Sequence, residues 1–166
     1  MLRTGVGCSE GCDLNASFIL TTMSHVVQAQ MGANGYLRQG GGGIETAGGA
    51  VAVNDMLLQS FEGFLRFFPV WPRSEDASFT TLRAVGAFLV SASLESGVVK
   101  GVEVVSEAGL NCTFVSPWEH MSTGTKGSPS VSGAGKPVTV ASVAGPGGLS
   151  LWRFETLAGQ TYRIAT

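Results

Sequence analysis

Charge is what this sequence has least of. Only 13% of its 166 residues are charged, about half the roughly 25% that is typical of soluble domains. The shortage predicts that part of the apolar surface meets something else, such as another domain. The net charge is −2 and the chain has no basic run, which argues against nucleic acid or an acidic membrane surface as a partner.

Cysteine is also scarce, and the three cysteines are too few for a disulfide scaffold. Cys8 and Cys12 form a C-x3-C pair with no later Cys/His pair at zinc spacing, so no metal and no other cofactor is expected. Cys112 lies in a strand pattern and is predicted to be a buried thiol.

Long apolar runs are missing as well. No run reaches the roughly 18 residues of a membrane helix, so no membrane partner is expected. The opening stretch, MLRTGVGCSEGCDLN, lacks the apolar core of a signal peptide. The sequence itself leaves the compartment of the protein open.

What is present favours a folded core. Hydrophobic residues make up 44% of the chain and the mean hydropathy is +0.26, which excludes global disorder. The length suits one ordinary domain, or one small domain with a piece of another.

Two helices are predicted before the first strand. Asp13 or Asn15 can cap the first, over roughly 15–31, and Gly32 can end it. Its residues at helical spacing are Ile19, Met23, Val26, Val27 and Gln30. His25 lies on this helix without an acid or thiol nearby and is expected to be solvated or simply packed.

The second helix is predicted to begin near Gly49 and to end at a C-cap, Gly63. Four glycines, Gly40–Gly43, come before it and indicate a loop or a tight backbone approach. The predicted inner stripe of this helix is Ala50, Val53, Met56, Leu57 and Phe61.

The remainder of the chain alternates with a period of two. FLRFF at 64–68 is predicted to be extended and 73–80 to be a polar connector. Hairpin spacing then predicts strands that begin at Phe88, at Val98 with a bulge near Gly101, and at Leu110. A Gly/Ser/Thr-rich loop is expected over 119–136, followed by three strands in PVTVASV, LSLWRFET and TYRIAT.

These patterns together predict a mainly β fold with N-terminal helices. Six or more short antiparallel strands favour a β-sandwich. The predicted domains are a helical segment over 1–63 and a C-terminal β-sandwich over 64–166.

Glu45 is the acid with the most unusual setting, because it lies between two glycine clusters. Its apolar neighbours Ile44 and Ala47 would raise its pKa by desolvation if the site is enclosed, which suits a catalytic acid. The alternative is that Glu45 supports the N-terminus of the following helix through the helix dipole. Four further acids in turn or strand-edge contexts are expected to be solvated: Glu62, Glu95, Glu107 and Glu155.

Three tryptophans allow two interpretations. Trp71, Trp118 and Trp152 could stack on the faces of sugar rings, or they could pack between the helices and the sheet.

Five segments follow one another along the chain: GGGGIET, AVNDMLLQSFEGFLRFFPVWP, DASFTTLRAVGAFLVSASL, VVSEAGLNCTFVSPW and LWRFETLAGQTY. Together they resemble the C-terminal end of the glycoside hydrolases of family 95. The similarity covers about 33–118 closely and 137–165 more loosely. That family, of α-L-fucosidases and their relatives, has a large helical (α/α)6 toroid followed by a β-sandwich. The resemblance therefore implies that 15–60 are the last helices of such a toroid.

The resemblance also implies an inverting hydrolysis, in which one carboxyl protonates the leaving oxygen and a base activates water. The family's acid and its asparagine-assisted water site lie in helices upstream of this chain. Glu45 is the nearest match to a remaining acid of the family, which stands before the Gly-Gly that opens the MLLQS helix. The family pattern there is Asp-x-Asn-Phe-Gly-Gly, whereas this chain has Ile44-Glu45-Thr46-Ala47-Gly48-Gly49.

The function expected is that of a C-terminal part of an α-L-fucosidase-like glycoside hydrolase, inactive alone. Its partners would be a missing helical catalytic domain and, in the longer protein, a carbohydrate substrate. The resemblance implies an extracellular or lysosome-like location. The alternative is a non-catalytic β-sandwich that binds glycans or supports a neighbouring domain.

Overall fold

A computed structural model describes residues 16–34, 38, 43–118 and 128–166. Two helices come first, α1 over Ala16–Gln30 and α2 over Gly43–Leu57. The strands of the described part are β1 Leu58–Gln59, β2 Arg66–Phe67, β3 Ala77–Ala84, β4 Phe88–Glu95, β5 Val98–Ser106, β6 Cys112–Phe114, β7 Ser130–Gly133, β8 Lys136–Val138, β9 Ala141–Ala144, β10 Ser150–Phe154 and β11 Gln160–Ala165. A short 3₁₀ helix, Pro146–Gly148, joins β9 to β10.

The first predicted helix is confirmed by α1, but the predicted start of the second was wrong. α2 begins at Gly43 and runs straight through Gly48 and Gly49. Each glycine inside a helix costs about 1 kcal/mol relative to alanine, which weakens a helix without stopping it. Glu45 therefore lies in the first turn of α2 and not in a loop between glycine clusters.

The predicted end of α2 was also wrong, because the helix stops at Leu57 and the chain continues directly as β1. Phe61, assigned to the inner stripe, lies beyond β1 and is 61% exposed. Gly63 does not cap the helix; it has a positive φ of 81° in the connection between β1 and β2. The predicted domain boundary at 63/64 falls in this same connection.

The C-terminus of α2 is held by residues outside the helix. Its last three carbonyls each accept a hydrogen bond: that of Asp55 from the Gln59 side chain (2.9 Å), that of Met56 from the Val70 N–H (3.4 Å) and that of Leu57 from the Phe68 N–H (2.7 Å). The last carbonyls of a helix have no partner within it. The segment after β2 therefore replaces the expected glycine cap.

The strands form antiparallel sheets. The largest has six strands in the order β3-β4-β5-β11-β7-β8, and the others are β6-β10-β9 and β1-β2. Leu65, just before β2, joins the two smaller sheets: its N–H donates to Thr113 O (2.8 Å) and its carbonyl accepts from the Val115 N–H (2.9 Å). The predicted antiparallel, sandwich-like arrangement with helices on the N-terminal side is confirmed.

One apolar core joins the sheets. β4 alternates so that Phe88, Val90, Ala92 and Leu94 are buried. Across the core, Phe154 of β10 lies with its ring centroid 5.3 Å from that of Tyr162 in β11. Each large apolar side chain that is fully buried contributes about 1.5–3 kcal/mol, so this core is the main stabilising contact between the layers.

Other strand predictions have mixed outcomes. The bulge is confirmed, since the β4–β5 register shifts where Ser93 opposes Gly101 and Leu94 opposes Val99. The prediction of a polar connector over 73–80 was wrong from Ala77 onward, because β3 begins there. The single strand predicted in PVTVASV is divided between two strands, β8 and β9.

The loop predicted over 119–136 was wrong from Ser130 onward, and 119–127 lie outside the described residues. SVSG becomes β7 because it pairs with β11 and buries Val131. Neighbouring strands here outweigh a composition typical of loops.

A chain of hydroxyl groups fixes two turns at one end of the sandwich. Thr156 Oγ1 must donate to Leu110 O (2.6 Å), since a carbonyl cannot donate. Ser106 Oγ must then donate to Thr156 Oγ1 (2.6 Å). Ser106 Oγ itself accepts from the Gly109 N–H (3.1 Å). This series of hydrogen bonds starts at the Gly109 N–H and ends at the carbonyl of the next residue, Leu110. It therefore ties the turn after β5 to the segment after β10.

We expect Thr156→Val to lower the free energy of unfolding by about 1–3 kcal/mol, because it leaves buried hydrogen-bonding groups without partners. Urea unfolding followed by circular dichroism measures the change. The control is Thr161→Val on an exposed position of β11, which should stay within about 0.5 kcal/mol of the parent. Equal effects of the two changes would contradict the role of the hydroxyl chain.

Candidate functional site

An apolar groove lies between the two helices and has a volume of about 370 Å³. We call it the hairpin groove; it is lined by Leu20, Met23, Ser24, Val27, Gln28 and Met31 from α1 and its end, and by Gly49, Ala50 and Val53 from α2. Nothing lies within 4 Å of where a Cβ would stand on Gly49, so the α2 wall of the groove is open.

The side chains around this groove are apolar but not covered. α1 has no buried residue, and Phe18 is 67% exposed while Val51 of α2 is 57% exposed. Val26 and Val27, two of the α1 residues at helical spacing, are both exposed. Exposed apolar side chains on two neighbouring helices suit contact with another protein surface.

Charge is nearly missing from the same helices. His25, which is exposed, is the one ionisable residue of α1, and the acids of α2 are Glu45 and Asp55. A partner would therefore be recognised by packing and not by ion pairs.

Glu45 is the third residue of α2, and its side chain lies outside the described residues. A carboxylate in a first helical turn interacts favourably with the helix dipole. The backbone position therefore suits the supporting role, and both the supporting and the catalytic roles stay predictions.

The tryptophans fit the packing interpretation. Trp118 is only 7% exposed and its Nε1–H donates to Val99 O (2.9 Å), so its ring has no free face for a sugar. Trp71 and Trp152 are half-buried and pack against the core. Trp71 Nε1–H also donates to Glu75 O (3.0 Å).

A second cavity, of about 740 Å³, lies at the end of the sandwich. We call it the strand-end cleft; it is formed by Asn111, Gly133, the connection from Pro137 to Ala141, the segment 153–157, Gln160 and Tyr162. The sequence did not predict it, since its lining is spread over about fifty residues and no single segment has a motif.

Two ionisable groups of the β region, Cys112 and Glu107, have shifted pKa values with a clear physical cause. Burial raises the pKa of the Cys112 thiol to about 12, so the predicted buried thiol is confirmed and stays protonated at neutral pH. Arg83 lies 2.6 Å from Glu107; their hydrogen bond lowers the pKa of the Glu107 carboxyl and raises that of Arg83. The four acids predicted to be solvated, Glu62, Glu95, Glu107 and Glu155, are all exposed.

Within the described ranges, no group of three or more His, Cys, Asp or Glu side chains could hold a metal ion. Neither described helix has the length and apolar character needed to cross a membrane. No family model and no curated protein matches the chain.

We expect the backbone amides of α1 to exchange with deuterium at least about 100-fold faster than those of Val90 and Val104. The reason is that α1 buries no side chain, and elements with few buried contacts open at a small fraction of the global free energy. Hydrogen exchange followed by NMR or mass spectrometry measures this. Equal protection of α1 and β4 would show that the helices belong to the same cooperative unit as the sandwich.

Proposed function

We propose that this chain is the C-terminal part of a glycoside hydrolase that resembles the family 95 enzymes. In this proposal α1 and α2 are the last helices of an (α/α)6 toroid, and the strands form the sandwich domain that follows it. The chain alone is catalytically incomplete, because inverting hydrolysis needs two carboxyl groups on opposite sides of the scissile bond.

The observation that carries the proposal is the hairpin groove with its uncovered apolar border. Two helices with exposed side chains such as Phe18 and Val51 cannot bury their apolar surface against each other alone. Further helices of a toroid would cover it by the same ridge-and-groove packing that joins helices in other domains.

The anchoring of α2 supports the same proposal. Its last residues, Met56 and Leu57, are buried, while Gly49, Ala50 and Val53 in its middle line the hairpin groove. One helix thus belongs to both parts of the molecule. A free-standing binding module would have no need of a helical lead-in fixed in this way.

The substrate in the complete enzyme would be a carbohydrate of the α-L-fucoside class, by the resemblance. Glu45 is the candidate for a carboxyl that this chain supplies to the reaction. The first turn of a helix at the edge of the toroid is a position from which a side chain can reach a site between helices.

We expect no turnover of 4-nitrophenyl α-L-fucoside by the 166-residue chain, because the upstream acid and water site are not in it. Release of nitrophenolate, followed by absorbance, measures this. Turnover that persists after purification and disappears on Glu45→Gln would overturn the claim that the chain is incomplete. The reading frame upstream of Met1 is an independent check: several hundred toroid-like residues support the proposal, and an unrelated sequence contradicts it.

In a protein that carries both the helical domain and this chain, we expect Glu45→Gln to lower kcat by about 10²–10⁴-fold, the usual contribution of a general acid or base. Asp55→Asn, at the other acid of α2, is the matched control and should leave kcat unchanged. Thermal unfolding of both variants shows whether the fold is intact. An unchanged kcat in the Glu45 variant would remove this residue from the site.

A further inference from the structure

The strand-end cleft has the size of a ligand site. Its volume of about 740 Å³ lies within the 300–1,000 Å³ range that is common for small-molecule pockets. Its lining includes the segment after β10 and the connection between β8 and β9. It shares no lining residue with the hairpin groove.

The cleft combines an apolar base with an apolar rim. Phe154 and Tyr162 are almost fully buried and their rings pack on each other, so they form a firm base. Leu157 is 64% exposed, and Pro137, another residue of the lining, is also exposed. These two side chains offer the cleft C–H surface that nothing else in the described structure covers.

Polar groups with unused hydrogen-bonding capacity stand around this apolar surface. Within the described residues, the side chains of Asn111 and Glu155 form no hydrogen bond. Arg153 uses only its Nε, which donates to Thr113 Oγ1 (3.1 Å). Gln160 uses only its Oε1, which accepts from the Tyr162 hydroxyl (3.3 Å). The cleft therefore has free donors on Asn111, Arg153 and Gln160 and free acceptors on Asn111 and Glu155.

The charges of the lining indicate a neutral ligand. Arg153 and Glu155 are its one base and its one acid among the described residues, and they are two positions apart in sequence, so their fields largely cancel. A phosphate or sulfate ligand would need an excess of cations or several convergent donors. A ligand rich in hydroxyl groups matches this lining, since each hydroxyl can both donate and accept.

The segment that forms one wall is fixed before any ligand arrives. Thr156 Oγ1 donates to Leu110 O (2.6 Å), and the Leu157 N–H donates to the Tyr162 hydroxyl (2.8 Å). The Gln160 N–H donates to Leu157 O (3.2 Å). A wall already held in place spares the ligand the entropy cost of ordering it.

We propose that the strand-end cleft binds a short neutral oligosaccharide. Its hydroxyl groups bond to Asn111, Arg153, Glu155 and Gln160, and the apolar face of a sugar ring lies against Leu157 and Pro137. This site is distinct from the three tryptophans that the sequence suggested for glycan binding. It does not rest on the proposed hydrolase function, because a sandwich of any origin with this lining would bind in the same way.

The test is an NMR titration of the ¹⁵N-labelled chain with cellotriose and maltotriose, and with inorganic phosphate as the charged comparison. We expect at least one trisaccharide to shift the amides of Leu157 and Gln160, with saturation near a concentration of about 10 mM, and phosphate to leave them unmoved. No shift with either trisaccharide at that concentration would overturn the proposal. Shifts with phosphate alone would also overturn it, in favour of an anion site.

Two variants locate the binding. Glu155→Ala and Asn111→Ala remove exposed side chains and should each weaken trisaccharide binding by about tenfold, which is the loss of one good hydrogen bond. Glu95→Ala, at the exposed end of β4 and outside the lining, is the control and should bind as the parent does. Unchanged thermal unfolding of all three excludes a folding defect. Full binding by both cleft variants would place the sugar elsewhere and refute the site.

Discussion

The junction between α2 and the sandwich is the constraint on which the rest of the structure depends. Three helix carbonyls are bonded to Gln59, Phe68 and Val70, which lie past the point where the helix ends. The helix therefore cannot turn or slide without breaking bonds that the sheet side supplies. This fixes the C-terminal end of α2 relative to the core.

The hairpin groove and the strand-end cleft differ in chemical character. The helical end is apolar and almost without charge, which suits a permanent contact with protein. The strand-end cleft mixes donors, acceptors and a small apolar rim, which suits a soluble ligand that comes and goes. The helices contribute to the low overall charge of the chain, since Glu45 and Asp55 are the charged residues of α1 and α2.

The sequence allowed the strands with regular alternation to be predicted. It did not predict β7, the start of α2 or the strand-end cleft. FLVSASLE reads as a strand because every second residue is apolar and buried. SVSG in β7 could not be predicted, since its one apolar side chain is Val131 and its pairing with β11 comes from a segment thirty residues away. The predicted start of α2 was wrong because glycine is a poor helix former, which favours a loop over the glycine clusters. Ala47, Ala50 and their neighbours are enough to continue the helix through Gly48 and Gly49. The strand-end cleft had no local signal at all, and the role of Glu45 depends on side-chain surroundings that no pattern in the sequence contains.

The bridge at Leu65 has a mechanical consequence. Leu65 is a single residue with two backbone hydrogen bonds, to Thr113 and Val115. It joins the segment before β2 to β6. A pulling force on α2 would load β1 and β2 first, and part of it would pass to β6 through the two bonds of Leu65. The hydrophobic contacts around Leu65 would then set the force at which the layers separate. One of them is between Phe67 and Phe114, whose ring centroids are 6.4 Å apart.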